Sequence, residues 1–300
     1  MPPFDPSVAV WVLASLGAAW WVHADAKARG LTRGRAWAWA VFTALLLFLG
    51  LPAYLLVGRP RPPTGRWGLG EVVGGTGALI VAVFLLALAF GLRGGARLPE
   101  LTIEILLQEA VTIAIVWYVV AVRYRLPLSA VGFQGTGLVR LAGIGVGLGI
   151  LSVAASTVAE RIAMEIAASV VGPAQAQRMN DLEHAIVPIE QILRGSVGAG
   201  DVALVIALLC VAVPLGEEVF FRGFAYGAMR SLWSRPAAVI VSAAFFAAVH
   251  SQIIHFLPIF ALGLFMAYAY DRTGSLLPPI LVHAINNLIA VLSTLYGWNL

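Results

Sequence analysis

The chain has 300 residues, 60% of them hydrophobic and 11% charged, with a mean hydropathy of +0.91. Charged residues make up about 25% of an ordinary soluble domain, so this balance excludes one and places most of the chain in lipid. A single cysteine excludes an internal disulfide framework and a Cys-rich metal site. The net charge of +4 comes without a basic run interleaved with aromatics, so nucleic acid is not an expected partner.

A membrane helix needs about 20 mostly apolar residues. The chain opens Met1-Pro2-Pro3-Phe4-Asp5 with no basic stretch, so the first apolar run, Pro6–Val22, is expected to be kept as a span rather than removed as a signal. Uncharged runs follow at Ala36–Val57 and Val72–Leu92, and Leu101–Val122 is apolar apart from Glu104, Gln108 and Glu109. Leu141–Ala159 is uncharged. Val202–Gly216 runs directly into Glu217-Glu218, Pro236–Val249 leads into His250, and Phe256–Tyr270 and Leu276–Gly297 complete the set. The expectation is an all-α, polytopic bundle of eight or nine transmembrane helices.

The stretch Gly58–Gly68 (GRPRPPTGRWG) reads as a linker. It divides the chain into an N-terminal two-helix hairpin with its linker, residues 1–66, and a main body, residues 67–300. Arg93–Pro99 and Arg123–Pro127 read as short basic turns. Residues 160–194 are polar with mixed charge and are broken at Gly172-Pro173, which suggests one or two amphipathic helices on the membrane surface. No internal repeat is visible. The arginines and lysine of the loops divide evenly between the two sides, so the positive-inside rule gives no orientation.

Ionisable side chains within membrane helices are costly and are functional candidates by default. They concentrate in the last third. In Gly216-Glu217-Glu218-Val219-Phe220-Phe221-Arg222-Gly223, Glu218 and Arg222 are four apart and share a helix face. Glu217 lies about 100° around the helix. Glu218–Arg222 can therefore neutralise itself as a brace while Glu217 stays available as a base. Downstream are His250, in Phe246-Ala247-Ala248-Val249-His250, and His283 with Asn287, four apart on one face behind Pro278-Pro279. A carboxylate, two histidines and an amide can activate water and hold an oxyanion. Glu217, His250 and His283 could instead ligate a divalent metal such as zinc, although no H-E-x-x-H helix is present.

Each feature also has a purely structural reading. Glu218–Arg222 can be a buried ion pair whatever the function, and His250 and Asn287 can be interhelical hydrogen-bond partners. Glu104 and Glu109 rank low as rim or cavity residues. His23 and His255 read as structural or interfacial, and His184 as water-facing. Nothing near Cys210 in sequence would activate it as a nucleophile.

Glu217-Glu218-x3-Arg222, Phe246-x3-His250 and His283-x3-Asn287 resemble, in order and spacing, the three motifs of the CPBP intramembrane proteases. These are the CAAX prenyl endopeptidases of the Ras-converting-enzyme type, with bacteriocin-processing and abortive-infection relatives. Arg272-Thr273-Gly274-Ser275-Leu276-Leu277-Pro278-Pro279 is similar too, and the resemblance is firm over about residues 200–292. It implies a helix bundle around a water-filled cavity and hydrolysis of a peptide bond. Glu217 with His250 would activate water, His283 and Asn287 would hold the oxyanion, and Glu218 and Arg222 would orient the site. The family is classed among metalloproteases, yet the same residues suit a glutamate-based mechanism. The implied partners are the bilayer and a peptide or membrane-protein substrate, and the arginine-rich, alanine-rich composition suggests a bacterial cell membrane. Two other classes compete: a non-catalytic scaffold or immunity-type protein, and a transporter with a buried proton relay. Six polar groups in three motifs exceed what packing a bundle needs, and no inverted repeat supports the transporter.

Overall fold

The computed structural model describes residues 6–62, 65–91, 97–185, 192, 193, 195 and 197–298. The opening five residues and most of the expected turn at Arg93–Pro99 lie outside them, as do 186–191 and 194 of the polar stretch. The described residues contain helices and no strand. In chain order the helices are α1 (Pro6–Ala28), α2 (Arg33–Leu45), α3 (Leu47–Gly58), α4 (Leu69–Gly91), α5 (Leu98–Arg123), α6 (Leu138–Val171), α7 (Pro173–Ala185), α8 (Ala199–Arg230), α9 (Arg235–Val249), α10 (Phe256–Thr273) and α11 (Leu277–Tyr296).

Six of these helices are long and apolar enough to cross a membrane, and α3 and α9 are shorter apolar helices. In the six, between 11% and 28% of the most apolar window is buried inside the protein. The remaining apolar surface, with side chains such as Leu13, Leu45 and Ile150 well exposed, is what lipid covers. The chain is an integral, multi-pass membrane protein.

α1, α2 and α3 share a small core of Val22, Ala26, Ala36, Tyr54 and Leu55. Asp25 ties this unit together by accepting hydrogen bonds from Tyr54, Arg59 and Arg29. The larger core belongs to the main body and centres on Phe220, Phe221, Phe224, Phe246 and Met266. The linker is pinned to it where the Trp67 indole donates to the Phe224 carbonyl at 2.8 Å.

Three boundaries differ from expectation. The run Ala36–Val57 is divided at Leu46 between α2 and α3, so the N-terminal unit holds three helices rather than two. α6 does not stop at Glu160 but continues unbroken to Val171. Its 34 residues span about 51 Å at 1.5 Å per residue, well beyond the roughly 30 Å hydrocarbon core. The charged half at Glu160, Arg161 and Glu165 therefore projects past the apolar layer. The break comes at Gly172, whose φ of +87° suits glycine alone, and Pro173 starts α7. The apolar run before Glu217 likewise does not end there. α8 passes through the whole first motif, with π-helical turns at Leu208–Ala212 and Val219–Tyr226. Such turns free backbone carbonyls and rotate the following side chains, and they recur at functional sites.

Candidate active site

The site is assembled where α8, α9, α10 and α11 pack. Glu218 and Arg222 are completely buried on one face of α8, and Arg222 Nη1 donates to Glu218 Oε1 at 2.7 Å. The guanidinium also reaches the Gly263 carbonyl of α10 at 3.4 Å and lies 4.4 Å from the centre of the Phe246 ring of α9. Gly263 is required there by close helix packing, since a Cβ would come within 3.0 Å of Ala243. A charge-assisted pair, a carbonyl and a ring face thus hold a cation that could not otherwise stay in a dry core.

His283 sits between the two glutamates. The first turn of α11 carries Pro278 and Pro279, where missing N–H groups cost nothing, and the next turn places His283 at 4% exposure. Its Nδ1 is 3.1 Å from Glu218 Oε1, and its Nε2 is 3.9 Å from Glu217 Oε2. Sequence reasoning finds no carboxylate near His283 to fix the ring unless folding supplies Glu218, and folding supplies it. Glu217 differs from its neighbour in being 18% exposed at its side chain and making no hydrogen bond to Arg222 or His283, although each glutamate keeps a buried Oε2 without a hydrogen-bond partner. The 3.9 Å gap is too long for a direct hydrogen bond, and a polar gap of this kind suits a bridging water.

His250 makes no hydrogen bond or ion pair with this cluster. It caps the C-terminus of α9, is exposed, and its Nδ1 is 2.7 Å from the Phe246 carbonyl. Donation from Nδ1–H leaves the lone pair on Nε2, free to accept a proton. No hydrogen bond or ion pair joins His250 to either glutamate. The Phe246 ring stands between the histidines, 4.6 Å from His250 and 5.8 Å from His283.

Asn287 lies one turn beyond His283 and donates to the Leu209 carbonyl at 2.7 Å. Leu209 belongs to the first π-helical turn of α8. Asn287 lines an open cleft of about 820 Å³ together with Asn286, Ser156, Glu160, His184 and His255. Glu217, His250 and His283 are not part of that lining. Asn286, about 100° around the helix, donates to Ser152 of α6 and is helix glue.

Three residues ranked low from sequence have definite places. Glu109 is buried at 4% exposure against Gly216, the residue before Glu217. His255 is clamped by Glu183 of α7, whose carboxylate also accepts from the backbone N–H groups of Ile253, Ile254 and His255. His184 does not simply face water, because its ring packs edge-on against His255 at 4.9 Å.

Among the described residues, no three His, Cys, Asp or Glu side chains are arranged to hold an ion. His283 gives Nδ1 to Glu218, and His250 makes no approach to Glu217 within ion-pair distance.

Residues 199–289 match the family model described as type II CAAX prenyl endopeptidase Rce1-like. The chain is 34% identical over 88 residues to the "Uncharacterized 24.3 kDa protein" of Escherichia coli, covering 28% of this chain and 41% of that protein. It is 31% identical over 94 residues to the "Putative membrane peptidase YdiL" of Bacillus subtilis (strain 168), covering 31% and 38%. It is also similar to the UPF0177 protein YxdF of Lactococcus lactis, 28% identical over 98 residues, covering 30% and 54%. The matches thus span from about two fifths to just over half of each relative's length. No solved structure matches. Residues 199–289, which carry all three motifs, are thus similar to the Rce1-like type II CAAX prenyl endopeptidases.

Proposed function

We propose that the protein is an intramembrane endopeptidase that hydrolyses a peptide bond in a peptide or membrane-protein substrate with Glu217 as the base. The observation that carries this reading is the division between adjacent glutamates. Glu218 is fully buried and its Oε1 is shared by Arg222 and His283, while Glu217 is partly exposed, binds neither of them by a hydrogen bond and faces His283 across 3.9 Å. A water in that gap meets a base on one side and an imidazole on the other.

In the proposed reaction Glu217 takes a proton from the water as its oxygen attacks the scissile carbonyl. The oxyanion forms beside His283 and the second Asn287 N–H, the first being held by Leu209. Glu217 then passes its proton to the leaving nitrogen as the C–N bond breaks. His250, with Nε2 open and the ring exposed, exchanges protons with solvent at the rim. No step is routed through a metal.

The reading is tested by comparing protein termini in cells that carry the wild type or Glu217→Gln. New termini present only with the wild type identify the substrate. Identical termini in both, at equal protein levels, overturn the proposal.

A further inference from the structure

Glu109 lies on the face of α5 that meets α8, and the mechanism above does not use it. Both of its carboxylate oxygens are buried and neither has a hydrogen-bond partner. Its carboxyl rests on the backbone at Gly216. A Cβ on Gly216 would overlap Glu109 Oε2 outright and come within 2.9 Å of Cδ. Glycine at 216 therefore lets Glu109 reach the backbone next to Glu217.

The charges around Glu109 are few. α8 presents Glu217, Glu218 and Arg222, with Cys210 one π-helical turn earlier. α11 presents His283. On α5 itself Gln108 is adjacent and Glu104 is partly exposed. The portion of α4 after Glu71 is uncharged, and Glu71 is bonded to Tyr124 at the far end of α5. The one permanent cation, Arg222, is engaged by Glu218. An ionised Glu109 would thus be a buried charge without a counter-ion, with only the neutral Gln108 amide near it, on the backbone next to another carboxylate. Such pairs share one proton rather than ionise twice, and the better-solvated member loses it. Here that member is Glu217, with its side chain 18% exposed.

We propose that Glu109 is the second carboxyl of the site, a neutral acid held against Gly216 that keeps the proton of the Glu109–Glu217 pair and so leaves Glu217 as the ionised base. Glu109 acts through Glu217 and is a positioning residue. The inference rests on the reading of Glu217 as base, but its test needs no substrate, so either can fail alone.

The test is infrared spectroscopy of the detergent-purified full-length protein in H2O and D2O as pH is raised. The wild type is expected to show a protonated-carboxyl C=O band at neutral pH that disappears from the Glu109→Gln spectrum. In Glu217→Gln the band should persist and titrate at lower pH, by about one unit or more, because the repelling neighbour is gone. A wild type without the band, a band retained in Glu109→Gln, or an unchanged titration in Glu217→Gln overturns the proposal. Should Glu109→Gln fail to fold, the Glu217→Gln titration decides alone.

Discussion

His283 bridges two consecutive glutamates of one helix, with Nδ1 3.1 Å from Glu218 Oε1 and Nε2 3.9 Å from Glu217 Oε2. Neighbours in sequence on a helix point about 100° apart, so a single imidazole reaches both only because its two nitrogens diverge. The contact to Glu218 fixes the ring, and the separation from Glu217 is longer than a hydrogen bond. In the proposed reaction the adjacent carboxylates have different tasks.

This division predicts different mutant behaviour. Glu217→Gln removes a base while keeping size and shape, so turnover should vanish with little change in thermal stability. Glu218→Ala strands Arg222 in the core and frees His283. Breaking a buried pair costs about 3–5 kcal/mol, so expression and the melting temperature should fall as well. Equal stability losses in the two variants, by thermal melts in detergent, would contradict it.

Asn287→Ala should lower kcat by about 10²–10³, the usual loss for one oxyanion donor, while KM changes little. The same substitution leaves the Leu209 carbonyl without its partner, at about 1–3 kcal/mol. A variant with lowered stability but unchanged kcat would show that Asn287 only holds the π-helical turn.

Gly216→Ala should be far more damaging than an ordinary Gly→Ala in a helix, which stabilises by up to about 1 kcal/mol. Its methyl group overlaps the Glu109 carboxyl. Combining it with Glu109→Ala should recover much of the stability, because the space is vacated. Melting temperatures of the single and double variants check this, and strictly additive losses would contradict it.

The clamp on the loop after His250 is pH-dependent. Burial raises the Glu183 carboxyl, but hydrogen bonds from the Ile254 N–H, the His255 ring and the His255 and Ile253 N–H groups outweigh it and hold it below the usual carboxylate range. A carboxyl lowered by folding stabilises the fold above its unfolded value, about 4.3, and loses that contribution as pH falls through the folded value. The stability gap between wild type and Glu183→Gln should therefore be fullest near neutrality and close in acid. A gap that widens as pH falls below 4, by thermal melts across pH, would contradict this.

The three motifs are legible in the sequence because each is a four-residue spacing on a helix, which needs no knowledge of tertiary packing. Glu218–Arg222 and the shared face of His283 and Asn287 follow from that period alone. The length of α6 is not legible, since charged residues after Ala159 end the apolar run without ending the helix. Only Gly172-Pro173 stops the backbone. Glu109 is also hidden. Its importance comes from a glycine on another helix, and a glycine in an apolar run gives no sign of what lies against it. His250 is recognisable by motif, but its hydrogen bond to the Phe246 carbonyl depends on where α9 ends.

The absence of a three-donor set around Glu217 predicts that detergent-purified protein keeps no stoichiometric zinc after dialysis and that strong chelators leave turnover unchanged. Metal analysis with and without His250→Ala checks it. One tightly held zinc per chain that is lost in the variant would contradict it.

The most direct measurement of the central claim is cleavage in proteoliposomes. The substrate found from the cellular termini is reconstituted with purified wild type or Glu217→Gln, and product is followed by mass spectrometry. The account predicts that the wild type cuts at the cellular site and that Glu217→Gln, equally folded, is slower by at least about 10²–10⁴, the scale of a lost general base. Cleavage by Glu217→Gln at the wild-type rate would contradict it.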